Sequence, residues 1–355
     1  MIAKRKLCAI LCLCAILCSF ASCVKNEQKE PDTQVQSFYE YFDTVSAIFS
    51  YLGDSKSDFE ANCEAIEELL EKYHRMFDIY YEYSGINNLK TVNKNAGKSP
   101  VKVDRELIDF LVYAKDIYNV TDGKTNIAMG SVLKIWHDHR EEGINEPSSA
   151  TVPSAEALKE AAKHTDINNI IIDEENSTVY LADEKMSLDV GAIGKGYATE
   201  KAAELLISRG VSSYVLNIGG NIRAIGEKTT KEGWVTGITN PNKLSSQSFV
   251  CRVEIRDTSL VTSGDYERYY TVEGVKYHHI IDPETLMPAN YFSSVSVFTK
   301  DSGLADALST ALFCMNYEKG LELINSIGGV EVIWVDTNYN VKMTDGVSVY
   351  TNNGK

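Results

Sequence analysis

The amino-acid sequence predicts a single α+β domain, because helical and strand patterns occur in blocks and do not alternate regularly as βα units. The chain has 355 residues, of which 44% are apolar and 24% are charged, a composition typical of globular proteins. Apolar residues recur every three or four positions in the N-terminal half, and short β patterns dominate after Ile167. These observations exclude disordered, collagen-like and coiled-coil proteins.

The first element is a leader. Lys4, Arg5 and Lys6 precede an uncharged apolar run, residues 7–20, which ends at Ala21-Ser22-Cys23. This run is shorter than the roughly 20 residues needed to cross a bilayer, so it is typical of a signal peptide. Small residues directly before a cysteine resemble a bacterial lipobox, which predicts a diacylated Cys23 and attachment to the extracytoplasmic face of the cell membrane. Simple secretion with cleavage nearby, or an uncleaved anchor, are the alternatives.

The remaining chain divides into a polar tether and one domain. Residues 1–22 are the predicted signal peptide, and residues 23–36 are polar with little to bury. Residues 37–355 are the predicted domain, with order beginning near Ser37. Its three cysteines indicate no disulfide framework.

The domain begins with helices. Residues 58–80 show a helical apolar stripe, and Ser57 and Glu60 have capping-box spacing. A second helix, residues 105–118, follows Asp104 as its N-cap, and residues 154–163 form a short Ala-rich helix.

Strands dominate the second half of the chain. Residues 170–172 and 178–181 flank turn residues and predict a hairpin, after which one strand-turn-helix unit spans residues 186–208. Helices are further predicted at 304–315 and 318–327. The other predicted strands are 214–217, 221–225, 234–238, 249–255, 259–262, 276–281, 293–298, 330–335 and 347–350.

Three segments carry residue types suited to chemistry. In the first, Asp189 to Tyr197, three glycines lie between a predicted strand and a helix. Free N–H groups, the helix dipole and Lys195 can then face an anion, for which phosphate is the natural candidate. An ordinary βα turn with glycines for tight packing explains the same pattern.

The second segment contains His278 and His279, just before the rigid turn at Asp282-Pro283. A histidine there is suited to act as a general base, because its ordinary pKa is about 6.5. Adjacent strand residues face opposite ways, so at most one of the two faces a given site. A surface hairpin with incidental histidines is the alternative.

The third segment contains Asp306 and Thr310, which share a helix face four residues apart. Their carboxylate and hydroxyl are hard oxygen donors that suit magnesium. Taken alone, however, this segment is better explained by ordinary helix N-terminal chemistry, with an acid near the positive end of the helix dipole and a threonine that bonds back to a carbonyl. The formal net charge of -15 argues against nucleic-acid binding, so handling phosphate would need a local cation or metal.

Taken together and in order, these segments and several others resemble the ApbE family of FAD:protein FMN transferases over about residues 40 to 350. The segments are Phe42–Thr44, Tyr80–Asn93, Thr121–Gly130, Asp189–Tyr197, Asn217–Gly220, Thr262–Tyr266, His278–Pro283 and Ala305–Phe313. The resemblance implies a magnesium-dependent enzyme outside the cytoplasmic membrane. Such an enzyme splits the FAD pyrophosphate, transfers FMN to a Ser or Thr hydroxyl of an acceptor flavoprotein subunit of a membrane redox complex, and releases AMP.

The resemblance also implies roles for individual residues. His279 matches the family's proposed base. The implied magnesium ligands are the Ala192 carbonyl and the side chains of Asp306 and Thr310, with Ser309 adjacent. The implied FAD contacts are Phe42, Tyr80, Thr125, Asn126, Ile127, Ala128, Asp189, Lys195 and Ile280.

Two other functions fit the same residues. The first is magnesium-dependent hydrolysis of FAD to FMN and AMP, with water as the acceptor. The second is a non-catalytic lipoprotein that binds FAD or another solute. Asp306 and Thr310 favour an enzyme over the second, since simple capture does not require a metal at the diphosphate.

Overall fold

The computed structural model describes residues 33–51, 55–228 and 230–351. The predicted signal peptide and Cys23 lie outside these residues. Within the described ranges, no helix is both long enough and apolar enough to cross a membrane.

The described residues form helices and strands in blocks, which confirms the α+β class. The α-helices are α1 (Lys56–Phe77), α2 (Leu89–Lys94), α3 (Arg105–Val120), α4 (Gly130–Asn145), α5 (Ala155–Ala162), α6 (Gly194–Ser208), α7 (Ser302–Phe313) and α8 (Tyr317–Ile327). The strands are β1 (Thr33–Phe38), β2 (Ser46–Tyr51), β3 (Val101–Lys102), β4 (Ile170–Asp173), β5 (Thr178–Leu181), β6 (Ser213–Ile218), β7 (Asn221–Gly226), β8 (Trp234–Thr239), β9 (Phe249–Ile255), β10 (Ser259–Gly264), β11 (Tyr269–Val272), β12 (Val275–His278), β13 (Phe292–Thr299), β14 (Glu331–Asp336) and β15 (Val341–Met343).

An eight-stranded antiparallel sheet forms the centre of the domain, with the order β1-β2-β6-β7-β10-β13-β14-β15. Helices α6 and α7 pack on one face, and α1 packs on α6. The hairpin β8–β9 covers the other face. Strand alternation decides which side chain serves which layer: Leu260 packs with the hairpin and its neighbour Val261 packs with α7.

A smaller unit lies beside this sheet, where α4 and α5 pack against the hairpin β11–β12. Its apolar core contains Trp136 of α4, Leu158 of α5 and Tyr270 of β11. The indole Nε1 of Trp136 also donates a hydrogen bond of 2.9 Å to the Leu286 carbonyl. The unit therefore fixes α4 against the segment that carries the two histidines.

Several boundaries differ from the sequence prediction. The first helix is capped by Ser55, whose side chain accepts a hydrogen bond from the Asp58 amide, so the predicted capping box at Ser57 and Glu60 is wrong. Residues 33–36, predicted as tether, belong to β1, because pairing with β2 satisfies their backbone groups.

Two predicted strands are also wrong. Residues 186–190 form an extended segment with a single bridge between Met129 and Ser187, because tertiary contacts replace a sheet ladder there. Residues 345–349 form a 3₁₀-helix, so the predicted strand at 347–350 is absent, and Val341–Met343 forms the edge strand instead. Helices α2 and α4 were not predicted.

Candidate active site

The carboxylate of Asp306 is held in a fixed orientation at the start of α7. Its Oδ2 accepts hydrogen bonds from the Gly196 amide at 2.8 Å and from Asn221 Nδ2 at 3.0 Å. A Cβ on Gly196 would lie 2.4 Å from the Cβ of Asp306, so only glycine permits this approach. Among the described residues, no hydrogen bond ends on Oδ1, which leaves that oxygen for a further ligand.

Three hydroxyl groups, those of Ser263, Ser309 and Thr310, lie close to one another on and beside α7. The Ser309 Oγ donates to the Asp306 carbonyl at 2.9 Å and lies 2.7 Å from Ser263 Oγ. Thr310 Oγ1 lies 3.5 Å from the same Ser263 oxygen. Ser309 is fully buried and already paired, whereas Thr310 is partly exposed. Thr310 is therefore the more accessible of the two hydroxyls on α7 and stays a predicted ligand, whereas Ser309 holds the helix in place.

These donors fit a hard divalent cation. In the described ranges, no group of three or more His, Cys, Asp or Glu side chains could hold a metal ion. A cation at Asp306 would therefore be coordinated by one carboxylate oxygen and by neutral oxygens. This arrangement suits magnesium, because a protein-bound magnesium ion keeps several of its waters. Ala192 lies partly exposed in the turn before α6, and its carbonyl stays a predicted ligand.

His279 lies directly after β12, beside the backbone of Arg268. Its amide donates to the Arg268 carbonyl at 3.0 Å, and its ring Nδ1 lies 3.3 Å from the same oxygen. A carbonyl only accepts hydrogen bonds, so this contact requires the proton on Nδ1 and leaves the Nε2 lone pair available. The ring therefore has the tautomer that a general base at Nε2 needs.

The surroundings of His279 keep the imidazole neutral. Its pKa lies well below 6.5, first because the protein excludes water and then because the cations Arg268, Arg140 and Lys195 face it. A neutral imidazole at pH 7 can accept a proton.

His278 points the other way, as strand alternation predicts. It is buried, its Nε2 donates to the Ala289 carbonyl at 2.7 Å, and its Nδ1 accepts from the Ile280 amide at 3.2 Å. Ile280 is also buried, and its carbonyl accepts from the Ala289 amide at 3.0 Å. His278 thus fixes the backbone on either side of the turn that follows His279.

Sequence reasoning missed two cations of the site. Arg140 belongs to α4, whose apolar pattern is weak, and Arg268 lies two residues after the polar turn at Thr262–Tyr266. Neither arginine, nor Lys195, forms a salt bridge with any residue in the described ranges. Uncompensated positive charge in one place favours an anionic ligand.

The N-terminal predicted contacts lie at the edge of this region. The turn at Phe42 packs on the Gly-Gly turn after β6, where a Cβ on Gly219 would lie 2.5 Å from Thr44 Oγ1. Tyr80 is exposed, and partial exclusion of water, followed by the charge of Asp189, raises its pKa to about 12. Tyr80 and Asp189 are therefore close in space.

The segment from Thr125 to Ala128 connects neighbouring parts of the domain through side-chain and backbone hydrogen bonds. Thr125 Oγ1 donates to the Ala307 carbonyl at 2.8 Å, and Asn126 Nδ2 donates to the Thr165 carbonyl at 3.0 Å. Ile127 and Ala128 are buried, and the Ile127 carbonyl accepts from the Asp189 amide at 2.9 Å. The segment thus ties Asp189 to α7, which carries Asp306.

Known proteins resemble this chain over most of its length. The family model described as "ApbE family" matches residues 42–334. A Treponema pallidum protein named "FAD:protein FMN transferase" is 32% identical, covering 94% of this chain and 92% of its own. A Klebsiella pneumoniae protein of the same name is 30% identical, covering 79% of this chain and 84% of its own.

Solved structures agree with this match. The Thermotoga maritima ApbE protein superposes with a TM-score of 0.78 at 28% identity, covering 91% of this chain and 100% of that one. The flavin transferase ApbE from Vibrio cholerae has the same fold, with a TM-score of 0.75 at 24% identity over 90% of this chain and 99% of its own. The family match, the relatives and the shared fold together lead to one conclusion: this chain belongs to the ApbE family.

Proposed function

We propose that this protein is a magnesium-dependent FAD:protein FMN transferase that moves FMN from FAD to a Ser or Thr hydroxyl of an acceptor flavoprotein and releases AMP. The names of its relatives support a transferase acting on FAD and a protein. The observation that carries the proposal is His279, neutral and with Nε2 available, facing three cations on the same side of the domain as the Asp306 carboxylate.

The chemistry follows from these groups. The acceptor hydroxyl oxygen attacks the phosphorus of the FMN half, while the bond from that phosphorus to the bridging oxygen breaks. His279 Nε2 takes the hydroxyl proton, and AMP leaves with the bridging oxygen. Phosphoryl transfer depends on positioning and charge neutralisation more than on covalent help, which suits a site of cations and one base.

Magnesium would be held by Asp306 Oδ1 and the Thr310 hydroxyl, with the Ala192 carbonyl as the third predicted ligand. A bound magnesium ion neutralises phosphate charge and orients the group that is transferred. Lys195, at the start of α6, would add a charged donor where the helix N-terminus already favours anions.

The test is to incubate the protein with FAD and magnesium, with and without a flavoprotein subunit that offers a Ser or Thr acceptor. We expect AMP release coupled to flavin that stays on the acceptor after denaturation. AMP and free FMN without an acceptor requirement would identify a hydrolase instead. If FAD stays unchanged in both incubations, the protein would be identified as a non-catalytic binding protein.

We also propose that the mature protein begins at a lipid-modified Cys23 and is anchored on the extracytoplasmic face of the cell membrane. The apolar run and the small residues before Cys23 support this. Mass spectrometry of the mature N-terminus tests it. A product beginning at another residue would contradict the proposal.

A further inference from the structure

We propose that Arg140 and Arg268 form a guanidinium pair that binds a phosphate group of FAD. This inference rests on the proposed function and adds to it, because it assigns diphosphate recognition to two residues outside the segments that carry the family resemblance.

The first step is the position of Arg140. Helix α4 is held on the hairpin β11–β12 at two points along one face. The ring of Trp136 stacks on Tyr277 with centroids 6.0 Å apart, and a Cβ on Gly143 would lie 2.5 Å from Cδ2 of Tyr270. Arg140 is four residues after Trp136 and three before Gly143, so it shares the face that packs on the hairpin.

The second step is the support of its guanidinium. Arg140 Nη2 donates to His137 Nδ1 at 2.9 Å, and the His137 ring lies 5.5 Å from the ring of Tyr80. This contact leaves the other guanidinium N–H groups of Arg140 for a ligand, since a guanidinium has five. His137 is therefore a positioning residue.

The third step places Arg268 at the same site. Its carbonyl accepts hydrogen bonds from both the amide and the ring Nδ1 of His279, so its backbone is fixed beside the base. Its side chain is exposed and takes part in no hydrogen bond or salt bridge with the described residues. Arg268 is thus free to bind a ligand that approaches His279.

The fourth step is electrostatic. Arg268 is accessible to solvent but partly screened from water by the neighbouring protein, and this partial screening, followed by repulsion from Arg140, lowers its pKa, while Asp189 and Asp306 act in the opposite direction. Two like charges brought together cost free energy unless an anion lies between them. Arginine forks bind phosphate through paired hydrogen bonds, so a phosphate group is the ligand that fits.

The experiment compares binding of FAD and riboflavin, which lacks phosphate, by titration calorimetry in EDTA to prevent turnover. We expect Arg140→Gln and Arg268→Gln to weaken FAD binding roughly 10- to 100-fold, as for loss of a charge-assisted hydrogen bond. Riboflavin binding should not change, and the dependence of FAD affinity on salt should decrease. Arg140→Lys, which keeps the charge without the fork, should recover part of the loss.

Lys134→Gln is the matched control, because it removes one positive charge from an exposed position on the same helix, where Lys134 pairs with Asp138. We expect its FAD affinity to equal that of the wild type. Wild-type affinity for FAD and unchanged salt dependence in both arginine variants would overturn the inference. A wild-type protein that binds FAD no better than riboflavin would overturn both this inference and the proposed function.

Discussion

The region around Asp306 and the region around His279 are built in opposite ways. Asp306 is 5% exposed and receives hydrogen bonds from Gly196 and Asn221, two residues more than 80 positions away in sequence. His279 directly follows a two-stranded hairpin outside the main sheet and faces three cations that form no salt bridge among the described residues. A carboxylate held by neutral donors is suited to bind a cation. A neutral imidazole surrounded by cations is suited to a site that binds an anion.

Under the proposed function, this difference would let a chain with a formal net charge of -15 bind a diphosphate. Positive charge is concentrated around His279, and the Asp306 carboxylate is bound by Gly196 and Asn221 and forms no salt bridge with those cations among the described residues. The two regions can be tested separately, since a substitution in one should leave the other intact.

The largest effect is expected for Asp306→Ala. This change removes the charged ligand from a site otherwise made of neutral oxygens, so AMP release should fall roughly 10³-fold or more, equivalent to several kcal/mol of lost charge stabilisation. Magnesium should also no longer raise the Tm. Thr310→Ala, which removes one neutral ligand, is the control and should be milder. Near-normal turnover of the Asp306 variant in magnesium would show that the carboxylate only holds Gly196 and Asn221 in place.

The next effect is expected for His279→Ala. Loss of general-base assistance should lower FMN transfer about 10²- to 10⁴-fold. FAD affinity should change little, because the diphosphate contacts belong to other residues. The comparison of transfer rate with FAD affinity separates a base from a binding residue. A parallel loss in both would assign His279 to FAD binding.

A smaller effect, in pH dependence, follows from the lowered pKa of His279. The neutral form persists below pH 6.5, so kcat/KM for FAD should decrease only as the pH falls through that lowered pKa. Bound diphosphate adds negative charge that favours the protonated ring, so the acid limb of kcat should lie at higher pH than that of kcat/KM.

Arg140→Gln provides the control for this pH dependence. Removing one of the positive charges that face His279 should raise its pKa and move the acid limb of kcat/KM to higher pH. Lys134→Gln should leave the profile unchanged. Identical profiles in all three proteins would show that His279 does not set the acid limb.

Local patterns predicted the elements of the domain well, because helix caps and strand alternation are short-range properties. The N-cap at Asp104, the hairpin of β4 and β5, and the opposite directions of His278 and His279 are confirmed. The strand predicted at 186–190 is wrong because its extended conformation is held by contacts with a distant segment.

Local sequence patterns predicted less of the candidate site than of the fold. The contact of Asn221 and Gly196 with Asp306 joins three elements of the fold, and nothing local in the sequence indicates it. Arg140 lies on a helix with a weak apolar stripe, so neither its element nor its direction could be read from spacing. The roles of the predicted FAD and magnesium residues stay predictions.

The smallest effect on catalysis is expected for His278→Ala, although this histidine is the more buried of the two. The substitution leaves the Ala289 carbonyl and the Ile280 amide without their partner, which should cost about 1–3 kcal/mol of stability per unpaired buried group. Burial also lowers the pKa of His278, so the wild type should lose stability as the pH falls below 6.5, where the unfolded chain binds more protons.

Removing the imidazole of His278 should reduce the loss of folding stability at low pH. The part of that loss that the lowered pKa of His279 causes should remain. Thermal unfolding between pH 5 and 8, alongside transfer assays well below the Tm, measures both properties. We expect a lower Tm at pH 7, a weaker dependence of Tm on pH, and a transfer rate close to that of the wild type. A loss of FMN transfer as large as in His279→Ala, with an unchanged Tm, would mean that His278 and not His279 is the general base. The contact of His279 Nδ1 with the Arg268 carbonyl would then have no role in catalysis.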